Sequence, residues 1–278
     1  IDRLSRARTF DVWDAWDHDR ACRVVVKLAR PDRADARALD QLRTEGRLLL
    51  ELSHPNIVRG YACGEEPVPH IVMETLGGST LSHLIDEEGS LSLPECAHLG
   101  LQLVSALAYL HRRGFVHLDL KASNVIGEAG RAKLIDLGLA APFGRGRAGV
   151  GTWSYLAPEQ AVGGELGPPT DVWGLGAVLF ECHCGHPPFD DPEIEGLAAE
   201  SEGSDESAEW PGEHPQLSRP ARLTGELVGH APELDRLILA CLSPDPADRP
   251  TLAAVAAALE GLPGAGVSGS RYSRSLTR

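Results

Sequence analysis

The spacing of the apolar residues changes period once along this chain, at Gly77-Gly78. Before that point, β-branched and aromatic runs at Phe10 to Trp16, Cys22 to Ala29, Ile57 to Cys63 and His70 to Glu74 read as strands separated by polar or Gly/Pro turns. One helix fits among them, Ala34 to Leu52, with Leu39, Leu42 and Leu49 on or near one face, and His54-Pro55-Asn56 ends it. After Gly77-Gly78, Leu99, Leu103, Leu107 and Leu110 recur at helical spacing along a helix expected to end near Gly114. Further helices fit Thr170 to Cys182, Pro232 to Leu242 and Leu252 to Leu262. The expected fold class is α+β and bilobal: a small antiparallel sheet with one helix, then a larger, mainly helical lobe, with a cleft between them. The expected division is 1–75, 76–262 and a linker or disordered tail at 263–278.

Charge narrows the function classes. The chain has 278 residues, with 26 Lys and Arg against 40 Asp and Glu. A net charge of −14 argues against a nucleic-acid footprint, which needs a basic face. Much of the excess is local: from His186 to Ser218 there is no Lys or Arg, while ten Asp and Glu fall between Asp190 and Glu213. Glu200 to His214 reads as a mobile acidic loop. Six cysteines at irregular spacing, without a visible signal peptide, read as reduced thiols in a cytoplasmic setting. Cys182-His183-Cys184 lacks a second ligand pair of matching spacing and reads as part of a buried helix end rather than a metal site. No stretch is long and apolar enough to span a bilayer. The chain starts at Ile1 rather than Met, which is consistent with a fragment, and leaves open an anchor outside it.

The chemistry is concentrated in His117-Leu118-Asp119-Leu120-Lys121-Ala122-Ser123-Asn124 and, seventeen residues after Asp119, in Asp136-Leu137-Gly138 behind Leu134-Ile135. Phosphoryl transfer asks little covalent chemistry of a protein. It needs an aligned hydroxyl, metal ions to offset phosphate charge, and fixed cations. An Asp, a Lys two residues on, an Asn three further, and an Asp beside a flexible Gly supply those parts from two loops.

These strings, with Val24-Val25-Val26-Lys27, Glu45 nine residues before His54, Gly151-Thr152-Trp153-Ser154-Tyr155-Leu156-Ala157-Pro158-Glu159, Asp171-Val172-Trp173-Gly174-Leu175-Gly176 and Asp248-Arg249-Pro250, resemble the eukaryotic-like (Hanks-type) serine/threonine protein kinase family in its bacterial form. The resemblance implies the bilobal protein-kinase fold and the roles of the matching residues. Asp119 would orient the substrate hydroxyl and accept its proton, and Lys121 would steady the γ-phosphate. Asn124 and Asp136 would ligate Mg²⁺, with Mn²⁺ as an alternative. Lys27, paired with Glu45, would hold the α/β-phosphates of ATP. Adenine would sit against Val12 and Val25 above and Ile126 below, on the backbone of Glu74 to Leu76 beside Met73. Thr152 would bond near Asp119 and Lys121 in the substrate loop, and Glu159 would pair with Arg249 as a structural contact. Lys121 is the family's mark for serine/threonine preference, so the implied partner is a protein substrate, and the acidic stretch suggests a basic one.

Three departures qualify the resemblance. The family's three phosphate-loop glycines are replaced by Ser5, Ala7 and Phe10, which predicts weakened ATP affinity and leaves Arg6 and Arg8 as compensating phosphate contacts. Leu118 stands where an arginine usually reads a phosphorylated activation loop. Leu139 to Gly151 contains no Ser, Thr or Tyr. The last two together predict activity independent of activation-loop phosphorylation. Two other readings stay open: a pseudokinase or scaffold with little turnover, and a small-molecule phosphotransferase, whose relatives generally lack the Ala-Pro-Glu segment.

Overall fold

The computed structural model describes residues 1–7, 9–189, 214–223 and 228–263. The acidic stretch 190–213 and the Arg/Ser-rich end from 264 lie outside them.

The sheet of the first lobe is five-stranded and antiparallel, in the order β1 (Asp2–Arg6), β2 (Phe10–Asp17), β3 (Cys22–Ala29), β5 (His70–Glu74), β4 (Gly60–Gly64). Helix α1 (Ala36–Glu51) lies against it. Asp35 caps the helix by accepting from the Ala38 N–H at 2.8 Å. Its buried face carries Leu42, Leu48 and Leu49, each stabilising by about 1.5–3 kcal/mol. Glu45 is on the same buried face, so α1 delivers a carboxylate into the interior.

One strand starts later than its composition suggests. Ile57 and Val58 are apolar and β-branched, but they leave the first sheet: Val58 N–H donates to Leu134 O at 2.7 Å, and Leu134 N–H to Asn56 O at 3.0 Å. Their burial is against the second lobe, and β4 begins only at Gly60. Alternation reports burial, not the sheet in which it occurs.

The second lobe opens with β6 (Ser79–Thr80) and α2 (Leu81–Glu88), followed by α3 (Leu93–Arg112). Glu95 caps α3 by accepting the Ser92 N–H at 2.9 Å. Then come β7 (Phe115–Val116), β8 (Val125–Glu128) and β9 (Arg131–Leu134). Strands β6, β8 and β9 form one small sheet under the first lobe. At the crossing between lobes, Gly78 has no room for a side chain, since a Cβ would sit 1.8 Å from Gly127 O. The chain continues through β10 (Ala141–Pro142), β11 (Gly144–Arg145), α4 (Pro158–Val162) and β12 (Glu165–Leu166) to α5 (Pro168–Cys184). Helix α5 is buried from Thr170 to Cys184, so it forms the interior of the lobe instead of an amphipathic flank. The short α6 (Pro215–Ser218), then α7 (Pro232–Cys241) and α8 (Leu252–Glu260), complete the described residues.

Candidate active site

Lys27 sits on β3 with its ammonium buried, and two carboxylates reach it from different elements. Glu45 of α1 accepts at 2.8 Å, and Asp136, in the loop after β9, lies at 3.3 Å. Burial opposes the Lys27 charge, but the Asp136 and Glu45 carboxylates outweigh it and hold the ammonium charged well above the ordinary lysine range. Glu45, 1% exposed, is pushed up to about 7, by burial first and then by repulsion from Asp136, with Lys27 acting in the opposite sense. Asp136 is 38% exposed and is held down at about 2. Desolvation raises it, but the Lys27 ammonium, the Gly138 N–H at 2.7 Å and the nearby charge of Lys121 prevail.

A second cluster lies between β7 and β8. Lys121 Nζ donates to Thr152 Oγ1 at 2.7 Å, and the Thr152 hydroxyl donates to Asp119 Oδ1 at 2.7 Å. Lys121 also lies 3.2 Å from Asp119 Oδ2, and the Asn124 amide donates to the same oxygen at 3.0 Å. The two clusters adjoin: Ile135, next to Asp136, donates its N–H to Asn124 O at 3.1 Å. The loop is held from below by Asp171 of α5, 1% exposed, which accepts from the N–H groups of His117 and Leu118 at 2.8 and 3.0 Å. Leu118 is thereby kept at φ +67°, a left-handed conformation that costs a non-glycine residue roughly 1–2 kcal/mol.

Strand register sorts the remaining expected residues by face. Val12 pairs with Lys27, Val25 with Met73, and Phe10 with Ala29. Cross-strand partners and alternate residues share a face, so Phe10, Val12, Val25, Lys27 and Met73 all lie on one side of the sheet. Ile126, on β8, is half-buried in the opposite lobe. The Glu74 side chain is committed to Lys133 and to the Arg59 N–H, so Glu74 itself has only main chain left to present to a ligand. The expected role for Arg6 needs correction. Arg6 pairs across β1 and β2 with Asp11, one residue out of step with Phe10 and Val12, and its guanidinium lies 3.8 Å from the Asp11 carboxylate. It therefore faces away from Lys27. Arg8 lies outside the described residues.

The donor set fits a divalent cation. Both N–H directions used by the Asn124 amide go to Asp119, at 3.0 Å each, which leaves its carbonyl oxygen as the ligand atom. Asp136 is ionised, and two oxygens of this kind suit a hard cation that takes its other ligands from phosphate and water. Among the described residues no three His, Cys, Asp or Glu side chains gather as a metal site of their own. His183 is bound to Asp235 at 2.8 Å, and all six cysteines are free thiols.

Sequence reading missed Gln160. This buried side chain donates to Leu118 O at 2.8 Å and to Val150 O at 3.1 Å, and accepts from Ala157 N–H at 3.1 Å. A glutamine after Ala-Pro-Glu carries no spacing signal, because its partners are backbone groups brought in from elsewhere. Arg30, just after β3, was missed for the same reason: its guanidinium donates to Ala7 O, 23 residues away, at 3.1 Å.

A sheet lobe that buries a Lys–Glu pair, set over a helical lobe that carries an Asp–Lys–Thr cluster and an Asp–Asn oxygen pair, defines a phosphotransferase cleft of the protein-kinase type. The protein kinase domain family matches residues 9–259, and this chain belongs to that family. Its relatives include three bacterial proteins. Probable serine/threonine-protein kinase PknB of Bifidobacterium longum is 36% identical over 205 residues, covering 67% of this chain and 30% of the relative. Serine/threonine-protein kinase PrkC of Bacillus subtilis is 38% identical over 175 residues, covering 60% and 27%. Serine/threonine-protein kinase PknA of Mycobacterium tuberculosis is 34% identical over 191 residues, covering 64% and 44%. The matched part is thus less than half the length of each of these relatives.

Proposed function

We propose that this chain is the catalytic domain of a bacterial serine/threonine protein kinase that moves the γ-phosphate of ATP to a protein hydroxyl. The observation that carries the reading is the bridge from Lys121 through Thr152 to Asp119, in the same cleft as Lys27, Glu45 and Asp136. In this reading Asp119 aligns the incoming Ser or Thr hydroxyl and accepts its proton, while Lys121 and Lys27 hold phosphate oxygens. Asn124 and Asp136 hold Mg²⁺, which offsets phosphate charge. Residues 1–75 cap the nucleotide and 76–262 present the acceptor. Transfer of radiolabelled phosphate from ATP to a protein substrate tests this. Asp119→Asn is expected to lower the rate by about 10²–10⁴-fold, and equal signal from that variant would defeat the assignment. Basic and acidic acceptor peptides in the same assay test the preference for a basic substrate that the acidic stretch suggests.

Independence from activation-loop phosphorylation is part of the same proposal. The segment is held by backbone pairing: β10 pairs with β7, β11 with β12, and Gly149 N–H donates to Gln160 O at 2.9 Å. Leu118 offers no charge for a phosphate. Phosphatase-treated protein is expected to keep most of its activity, and loss of most of it would contradict this.

A second reading, a nucleotide-binding scaffold with little turnover, is favoured by one observation: the Phe10 ring lies over Lys27, 5.1 Å from ring centroid to Nζ. Submillimolar binding of ATP with Mg²⁺ but no Asp119-dependent transfer would select it.

No helix among the described residues is long and apolar enough to cross a membrane.

A further inference from the structure

The hairpin of β1 and β2 closes on itself. Ala7 N–H donates to Phe10 O at 2.9 Å, so this amide, at one of the glycine-replaced positions, is already used within the turn. Arg30, at the end of β3, ties the tip down: its N–H donates to Thr9 O at 2.8 Å and its Nη1 to Ala7 O at 3.1 Å, while Asp32 holds the guanidinium at 2.9 Å. With the tip fixed, the half-buried Phe10 ring lies over the Lys27 ammonium, whose other directions are taken by Glu45 and Asp136.

We propose that Phe10 is the residue that sets nucleotide selectivity in this cleft, because its ring occupies the triphosphate end and disfavours a nucleoside triphosphate relative to the bare nucleoside. The proposal rests on the kinase reading and specifies what this chain has done to it. A phosphate oxygen bonded to an ammonium needs to approach to about 2.8 Å, inside the 5.1 Å that separates Lys27 Nζ from the ring centroid. The ring must leave before that contact forms, and its attraction to the ammonium is lost with it. Val12, two residues along the strand and about 6–7 Å away, faces the adenine end, so a nucleoside without phosphates does not need the ring to move.

The test is calorimetric titration of the wild-type chain, Phe10→Gly and Phe10→Ala with adenosine and, separately, with ATP and Mg²⁺. Melting temperatures serve as the check on folding. Both variants are expected to bind ATP with Mg²⁺ about tenfold more tightly, while adenosine changes by less than about twofold. Phe10→Leu retains apolar bulk without the ring and is expected to fall between. Unchanged or weaker ATP binding in folded Phe10→Ala, or an equal shift for both ligands, overturns the proposal while leaving the kinase reading intact. Absence of adenosine and ATP binding from wild type and variants alike overturns the nucleotide-site reading and this proposal with it.

Discussion

Single residues in this cleft are held in states they would not choose alone. Leu118 occupies a left-handed conformation because Asp171 binds its N–H, and Asp171 also takes His111 Nε2 at 2.7 Å. Glu45 is pushed up to about 7, chiefly by burial, so it has a stability consequence of definite sign. In the unfolded chain Glu45 titrates near 4.5, so between about pH 4.5 and 7 the folded state binds more protons than the unfolded one, and stability falls as pH rises through that window. Denaturant melts of wild type and Glu45→Gln should differ in this slope. The wild type is expected to lose on the order of 1–3 kcal/mol relative to the variant between about pH 5 and pH 8. A pH-independent difference would mean that Glu45 stays ionised beside Lys27. Asp136 acts in the opposite sense: held at about 2, its contribution is present above the ordinary carboxylate value near 3.8 and is lost only as pH falls toward 2.

At the level of elements, the segment between β9 and α4 is held by contacts distant in sequence. Two short ladders pin it to β7 and β12, and Gln160 joins Val150 of the segment to Leu118 of the catalytic loop. Gly151, at φ +133°, allows the turn into Thr152. Gln160→Ala removes two hydrogen bonds to backbone carbonyls, that to Leu118 buried and that to Val150 partly so, each such bond contributing about 1 kcal/mol. It is expected to raise KM for a protein substrate roughly tenfold while KM for ATP stays within about twofold, as read from steady-state transfer assays. An equal rise in both constants would mean general loosening of the cleft and not a misplaced acceptor loop.

Across the whole molecule, α5 ties the catalytic loop to the far side of the second lobe. Glu159 and Arg249 form a buried two-pronged pair at 2.7 and 2.8 Å, and Arg249 also donates to Ser243 O and Pro169 O and lies over the Trp173 ring at 5.0 Å. Arg249→Met strands a buried carboxylate, with an expected loss of about 3–5 kcal/mol and a drop in Tm of roughly 10 °C. Thermal unfolding measures this directly, and a shift of only a degree or two would place the pair among weak surface contacts.

Much of this was legible in the residue order. Period-two and period-3.6 burial specify strands and helices locally, so His70–Glu74 and Cys22–Ala29 have the bounds their composition predicts, and the expected helices differ only at their ends, while the eight-residue α2 gave no signal strong enough to be expected. The motifs singled out Lys27, Glu45, Asp119, Lys121, Asn124, Asp136 and Thr152, which the fold joins into two adjoining hydrogen-bonded clusters. Other features were not legible. Ile57 and Val58 bury against the other lobe, Gln160 binds backbone carbonyls more than nine residues away, and Arg30 donates to Ala7 O across the sheet. The bulk of Phe10 at a glycine position was legible, but not that its ring would lie over Lys27. A side chain's own chemistry states that it will be buried or hydrogen-bonded. Which surface buries it, and which carbonyl or ammonium it meets, depends on segments distant in the chain, and only their packing together decides it.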